Sequence, residues 1–437
     1  MVPSFLKSAE DRGWKVERLE HLIANKVIVG HLDGNHGSLY PRSSEFIDSG
    51  IKYISANALI NGKVDLTKAK FLSIERGGQF KKGVSKSGDV LFAHNATVGP
   101  VGILETTDEF VIISTSLTYY RCNPSKIDNV YLSQFMASPS LIRQYERIMK
   151  QTTRNQIPIT AQRDFYFVLP PLPEQKKIAK ILSTWDNAIS TTERLVENST
   201  QQKKALMQQL LTGKKRLLDD NGKPFEGEWE EKTLIDAGIT VTDGDRGKEY
   251  PNSSEFYDEG DYLFLSAKNV TKKGFLFEET QFISKEKYEK LGKGIVNRGD
   301  VVLTTRGTVG QTAYYDNSVQ YDFLRVNSGM VTLGCNNSEL ESNFFYALTN
   351  SSLFIRQVDS LTFGSAQPQL TIKIIKSLKV PIPPVSEQQK IAAVLTNADK
   401  EIELLEQQLT NLQQEKKALM QVLLTGKKRV VVDGEFV

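Results

Sequence analysis

The chain has 437 residues, with 55 lysines and arginines against 52 acidic residues, a formal net charge of +3 and 39% hydrophobic residues. That length suits about three domains with sizeable cores, and the near balance of charge excludes a polycation, so nucleic-acid binding would have to rest on local patches. Two cysteines, an N-terminus unlike a secretion signal and no long apolar run predict a soluble chain of the reducing cytoplasm, without membrane association.

From the N-terminus, Trp14-Lys15-Val16-Glu17-Arg18-Leu19 stands near the head of a first globular region, 1–172. Tyr40-Pro41-Arg42-Ser43-Ser44-Glu45-Phe46, Ser55-Ala56, Gly88-Asp89-Val90 and Thr97-Val98-Gly99 follow it. The same words return in a second region, 214–385, as Trp229-Glu230-Glu231-Lys232-Thr233-Leu234, Tyr250-Pro251-Asn252-Ser253-Ser254-Glu255-Phe256, Ser266-Ala267, Gly299-Asp300-Val301 and Thr308-Val309-Gly310. Gln156 and Thr160 are matched with Gln367 and Thr371. Cys122-Asn123 and Cys335-Asn336, 213 positions apart, are read as buried thiols at strand ends rather than as a disulfide. Apolar runs such as Val111–Tyr120 and Leu324–Leu333 between Gly, Asn and Asp turn signals predict strands. Helical segments follow at Val130–Met136 and Phe344–Leu348, continuing through Arg143-Gln144 and Arg356-Gln357. Each region is therefore expected to be α+β, and the chain an internal repeat.

Each region leads into a long helix, predicted over 173–213 and 386–426. Glu174-Gln175 opens the first and Leu211-Thr212-Gly213-Lys214-Lys215-Arg216 closes it; Glu387-Gln388 and Leu424-Thr425-Gly426-Lys427-Lys428-Arg429 do the same for the second. The offset is 213 at both ends, so the two copies match without a gap. Ile178, Ile181, Trp185, Ile189, Leu195 and Leu206 mark one narrow apolar stripe, and Ile391, Leu395, Ile402, Leu405, Leu409, Leu412 and Leu419 the other. A stripe that narrow packs against another helix, and the polar outer positions with the equal lengths of the two copies favour a two-helix rod over a pair of ordinary core helices. The last segment, 427–437, repeats the stretch after Arg216, so it is expected to pack near the N-terminus, as in a ring cut open.

Catalytic constellations are missing. Gly213-Lys214 and Gly426-Lys427 lack the upstream glycine and the hydroxyl of a phosphate-binding loop. Pro170-Pro171 and Pro383-Pro384 lack the residues of an amino-methyltransferase motif, and Glu174-Gln175-Lys176 mimics part of a nuclease site that its twin, Glu387-Gln388-Gln389-Lys390, does not keep. All four histidines, His21, His31, His36 and His94, lie in the first half. His31, Asp33 and His36 carry metal-ligating atoms, but a solvated loop is the favoured account and no metal is assigned. We read no enzyme.

The order of a variable region, Pro-Pro-x-x-Glu-Gln, a helix ending Leu-Leu-Thr-Gly-Lys, then both again, resembles the specificity subunit of type I restriction-modification enzymes along essentially the whole chain. The resemblance implies two target-recognition domains joined by an antiparallel coiled coil about a pseudo-two-fold axis, each reading one half of a split, asymmetric site in double-stranded DNA. It implies no cofactor in this chain. Two modification subunits would bring S-adenosylmethionine and methylate adenine, and two restriction subunits would use ATP and Mg. Base reading needs bidentate or amide groups on loops, with cations on phosphates. The residues expected there are Tyr40, Arg42, His94, Asn95, Thr153, Arg154, Asn155 and Gln156 in the first domain, and Arg246, Lys248, Tyr250, Thr305, Arg306, Ser365 and Gln367 in the second. Arg306-Gly307-Thr308-Val309-Gly310 keeps a pattern frequent in that family, whereas Asn95-Ala96-Thr97-Val98-Gly99 departs from it. A two-domain scaffold that binds proteins rather than DNA is the alternative, and the near-neutral charge is its best support.

Overall fold

The computed structural model describes residues 2–150, 155–362 and 369–432. It divides into two compact units, Met1–Leu195 with Leu405–Val437, and Val196–Leu404. Both are mixed α and β, and they repeat the same order of elements. Among the described residues no helix is long and apolar enough to cross a membrane.

The long helices run Leu172–Leu210 and Val385–Leu423, 39 residues each. Their inward positions alternate by four and three residues: Ile178, Leu182, Trp185, Ile189, Thr192, Val196, Ser199, Lys203, Leu206 and Leu210 are all buried or half-buried. The second stripe lies 213 positions on, from Ile391 and Leu395 through Ile402, Leu405, Leu409, Leu412, Lys416 and Leu419 to Leu423. This alternation averages 3.5 residues per repeat, the period of a helix-on-helix seam. Ile181 lies one position off that seam and is half-buried, while Leu195, also one position off, is 46% exposed. Leu182 and Val196 hold the positions that apolar character alone had given to Ile181 and Leu195.

In the first unit the start of the first long helix meets the end of the second, with Ile178, Leu182, Met420, Leu423 and Leu424 in one core. Lys416 donates there to Asp186 at 2.6 Å. In the second unit the end of the first helix meets the start of the second, with Leu210, Leu211, Ile391 and Leu395 in one core. Lys203 pairs there with Asp399, the twin of the Lys416–Asp186 pair. Within each unit the helices are therefore antiparallel. Both helices stop at a left-handed glycine, Gly213 (φ 69°) and Gly426 (φ 71°), after which the Lys215 and Lys428 amides return to the carbonyls of Gln209 (3.1 Å) and Val422 (3.0 Å). The rings of Trp229 and Trp14 cover these glycines.

The N-terminal residues complete the first unit. Leu6, Ala9 and Trp14 are buried in its core, Val430 packs against that same core, and Ser8 Oγ donates to the Thr425 carbonyl at 2.8 Å. Residues 433–437 lie outside the described residues.

The globular part of the first unit carries a six-stranded sheet in the spatial order Ile28–Asp33, Leu117–Cys122, Val90–Asn95, Thr97–Ile103, Gly62–Val64, Leu59–Ile60. The second unit keeps the first four of these as Thr240–Asp243, Met330–Gly334, Val301–Thr304 and Thr312–Tyr314. A further sheet in each holds one parallel pair, Ile51–Ile54 with Val111–Ile113 and Tyr262–Leu265 with Phe323–Val326. The runs expected as Val111–Tyr120 and Leu324–Leu333 are thus two strands each, in different sheets. A turn breaks each run: Leu117 N donates to Ser114 O (3.0 Å) and Met330 N to Asn327 O (3.2 Å). Gly34 and Gly244 lie against these turns so closely that a Cβ would fall 2.3 Å from the Ser114 backbone and 2.1 Å from that of Asn327. The helical continuations are separate helices, Pro139–Met149 and Ser352–Thr362, after Asn129–Met136 and Ser342–Thr349.

Cys122 ends one strand half-buried and Cys335 follows its twin strand buried, both as free thiols. Burial pushes them up to about 12 and about 11 respectively.

Candidate nucleic-acid interface

In both units the Gly-Asp motif fixes the strand that leads to a hairpin tip. Asp89 is buried, accepts from Ser85 Oγ (2.9 Å) and the Lys86 amide (2.8 Å), and is forked by Arg121 through Nε (2.9 Å) and Nη2 (2.7 Å). Gly334 stands where Arg121 would be, so Asp300 keeps bonds from the Asn297 amide (2.8 Å) and Nδ2 (3.3 Å). Burial then holds the Asp300 carboxyl above the usual carboxylate range.

The strand from Asp89 ends at His94 and Asn95. His94 is 1% exposed and its Nδ1 donates to the Ile157 carbonyl at 3.0 Å. That bond fixes the tautomer with Nε2 bare, and among the described residues Nε2 has no partner. Burial lowers the imidazole below its ordinary value. So His94 holds the hairpin from inside, and it is not at the surface where the sequence reading had placed it. Ile157 N donates to His94 O (2.8 Å), and Ala96, in the left-handed region at φ 64°, exchanges bonds with Asn155. Asn95 pairs with Gln156 as an isolated bridge. Asn95, Asn155 and Gln156 therefore converge on one tip; Thr153 and Arg154 lie outside the described residues.

A buried polar network lies under that tip. Gln162 Oε1 accepts from Tyr120 (2.7 Å) and faces His31 Nε2 (3.3 Å), while its Nε2 donates to Thr118 Oγ1 (3.0 Å). Burial takes His31 down to about 4. In the second unit the strand register puts Val241, Leu333 and Val331 at the places of His31, Tyr120 and Thr118, and the 213-residue offset puts Ile375 at that of Gln162. Among the described residues no group of three or more His, Cys, Asp or Glu side chains could hold a metal ion.

The second tip has the same main-chain frame. Thr305 N donates to Gly329 O (2.8 Å), Leu370 N to Thr305 O (3.1 Å), and Gly307 takes the left-handed place of Ala96 at φ 72°. Thr305 is buried, and its hydroxyl also donates to Gly329 O (2.9 Å). Arg306 is exposed and donates from Nε (3.1 Å) and Nη2 (2.9 Å) to the Gln369 amide oxygen, the amide orientation a donor-only guanidinium requires. Arg246 joins from the neighbouring loop through Ser328 O (3.2 Å). Ser365 and Gln367 lie outside the described residues. The pairing of Ile157 with His94 and of Leu370 with Thr305 makes Gln369 the twin of Gln156. The sequence reading missed it, although the 213-residue offset that relates Cys122 to Cys335 also relates Gln156 to Gln369.

The remaining candidates sit on other loops. Tyr40 and Arg42 are exposed ahead of a turn closed by Glu45, which accepts from the Arg42 amide (2.6 Å) and Arg76 Nε (2.6 Å). In the second unit Glu255 closes the twin turn and pairs with Lys287 at 2.8 Å. Tyr250 packs edge-on against Phe264 at 5.7 Å, and Lys248 is exposed.

The profile of the family described as "Type I restriction modification DNA specificity domain" matches residues 29–198 and 226–414. The chain is 28% identical over 383 residues to the type I restriction enzyme MjaX specificity subunit of Methanocaldococcus jannaschii, covering 85% of each chain. It is 28% identical over 326 residues to the MjaVIII specificity subunit of the same organism, covering 73% of this chain and 75% of that one. Its fold is similar to the crystal structure of the type I restriction-modification S subunit from M. genitalium, with a TM-score of 0.56, 16% identity and coverage of 94% and 96%. With two matched copies spread over most of its length, the chain belongs to the type I restriction-modification DNA specificity family.

Proposed function

We propose that each unit reads one half of a bipartite, asymmetric sequence in double-stranded DNA, and that the paired long helices set the unread spacer and dock two modification subunits. The observation that carries this reading is a shared frame with unlike tips. Both tips take the same main-chain bond from the segment that follows, Ile157 N to His94 O and Leu370 N to Thr305 O, yet one presents the amides Asn95, Asn155 and Gln156 and the other the cations Arg306 and Arg246. Unlike readers on a common frame suit unlike half-sites, because amides pair with adenine edges and arginine with guanine.

The chain itself serves as a non-catalytic recognition subunit in the cytoplasm. Its modification partners carry S-adenosylmethionine and methylate adenine, and two restriction subunits bring ATP and Mg. Reading from one side of the duplex places half-site centres on the order of 34–36 Å apart, and a 39-residue helix, about 58 Å long, can set that distance. Base-resolved mapping of methylated adenines in cells that express this chain with its modification subunits tests the reading. A motif of two specified halves around an unread gap supports it, and methylation unaffected by removal of this chain overturns it.

A further inference from the structure

We infer that Gln369 is a positioning residue that clamps one edge of the Arg306 guanidinium, so that the other edge offers two parallel donors to a guanine in the second half-site. The inference rests on the proposed reading that the second unit binds DNA, and it adds the base and the group that aims the reader at it.

A guanidinium has five donor hydrogens in a rigid plane and no acceptor. Two of its edges can each serve a pair of acceptors, one made by Nε and Nη2 and one by Nη1 and Nη2. Gln369 fills the first, its amide oxygen accepting from Nε at 3.1 Å and from Nη2 at 2.9 Å. Among the described residues the second edge, Nη1 with the remaining Nη2 hydrogen, engages no protein acceptor. Guanine is the base that shows two acceptors side by side in the major groove, O6 and N7, and an arginine edge matches them.

The clamp is placed by the fold. Leu370, next to Gln369, donates its amide to the carbonyl of Thr305, next to Arg306, at 3.1 Å. Reader and clamp therefore stand side by side on segments tied one residue away. Gln369 is also neutral, so it orients Arg306 without cancelling the charge that the base attracts. Without it the long side chain samples several rotamers, and ordering them on binding weakens discrimination. The first unit has Asn95 and Gln156 at the equivalent places, an amide pair with no guanidinium to aim.

The test uses the full chain with its modification subunits on DNA in which the second half-site is randomised, with methylated sequences read base by base. The wild-type protein requires guanine at one position of that half. Arg306→Ala relaxes that position, and Gln369→Met, which keeps the bulk and drops the acceptor, lowers guanine discrimination at the same position on the order of tenfold. Gln369→Glu restores an acceptor and keeps the guanine preference, while the first half-site stays unchanged in every variant. Full guanine discrimination in Gln369→Met beside a relaxed Arg306→Ala overturns the clamp and leaves the DNA reading standing. A relaxed position other than guanine overturns the base assignment, and no change in either variant overturns base contact by Arg306 itself.

Discussion

Arg216 donates through Nε and Nη2 to the two carboxylate oxygens of Glu387, each at 2.7 Å, and that carboxylate has no exposed surface. Trp229 Nε1 adds a third donor at 3.1 Å. In the first unit Arg429 meets Glu174 in the same way. This explains why each long helix opens with Glu-Gln and why each copy ends in arginine. The glutamines complete the seal: Gln175 accepts from the Asp128 amide (2.9 Å) and Gln388 from that of Glu341 (2.7 Å). Removing one partner of a buried pair leaves the other charge uncompensated, at a cost of about 3–5 kcal/mol. Arg216→Ala should destabilise the second unit by that order, and Arg216→Lys should not restore it, because an ammonium cannot fork a carboxylate. Denaturant unfolding checks both; a loss under about 1 kcal/mol would contradict the assignment.

The twin pairs Lys416–Asp186 and Lys203–Asp399 place a cation on each apolar seam. A polar group at one seam position specifies register more than it adds stability. Exchanging the charges, Lys416→Asp with Asp186→Lys, should recover most of what either substitution alone loses. A double-mutant cycle measures it, with a coupling of roughly 0.5–3 kcal/mol expected. Simple additivity would contradict the pairing.

The two buried aspartates should respond oppositely to neutralisation. Burial raises the Asp300 carboxyl above its ordinary value. The folded state then keeps a proton that the unfolded state has released, so this group's stability contribution is full below the unfolded value and lost as pH rises through the folded one. Asp300→Asn should therefore gain on the wild-type protein as pH rises from the carboxylate range to 7. Asp89→Asn instead weakens the Arg121 fork, at a cost of about 2 kcal/mol at neutral pH. Melting curves across pH compare them, and a penalty for Asp300→Asn that grew with pH would refute the first claim.

His94 and Asn95 are neighbours with different expected effects. His94→Ala removes a buried ring and its bond to Ile157, so it should cost about 1–3 kcal/mol and leave the methylated sequence unchanged. Asn95→Ala should cost little stability and alter the first half-site. Melting and methylation mapping of both variants decide; a changed motif with His94→Ala would return that ring to the interface.

The repeat, the helices and the Gly-Asp marks were legible because each reflects a local or gap-free constraint. The seam was read imperfectly. Apolar character pointed to Ile181 and Leu195, whereas strict alternation runs through Leu182 and Val196 and admits two lysines whose partners lie far along the chain. His94 looked like a reader because nothing local in a sequence reports that Ile157 closes over it. Gln369 was hidden by a tempting match of Gln156 to Gln367, which the main-chain pairing of Leu370 with Thr305 resolves.

The central claim is that the paired helices set the gap between two half-sites. Ser199 meets Glu401 and Lys203 meets Asp399, so Leu206 and Leu395 stand at about the same level of the pair in the second unit. Inserting one heptad after each of these two residues, then mapping methylated adenines base by base, measures the claim directly. The account predicts both half-site sequences retained and the unread gap lengthened, while an unaltered gap in an active complex would contradict it.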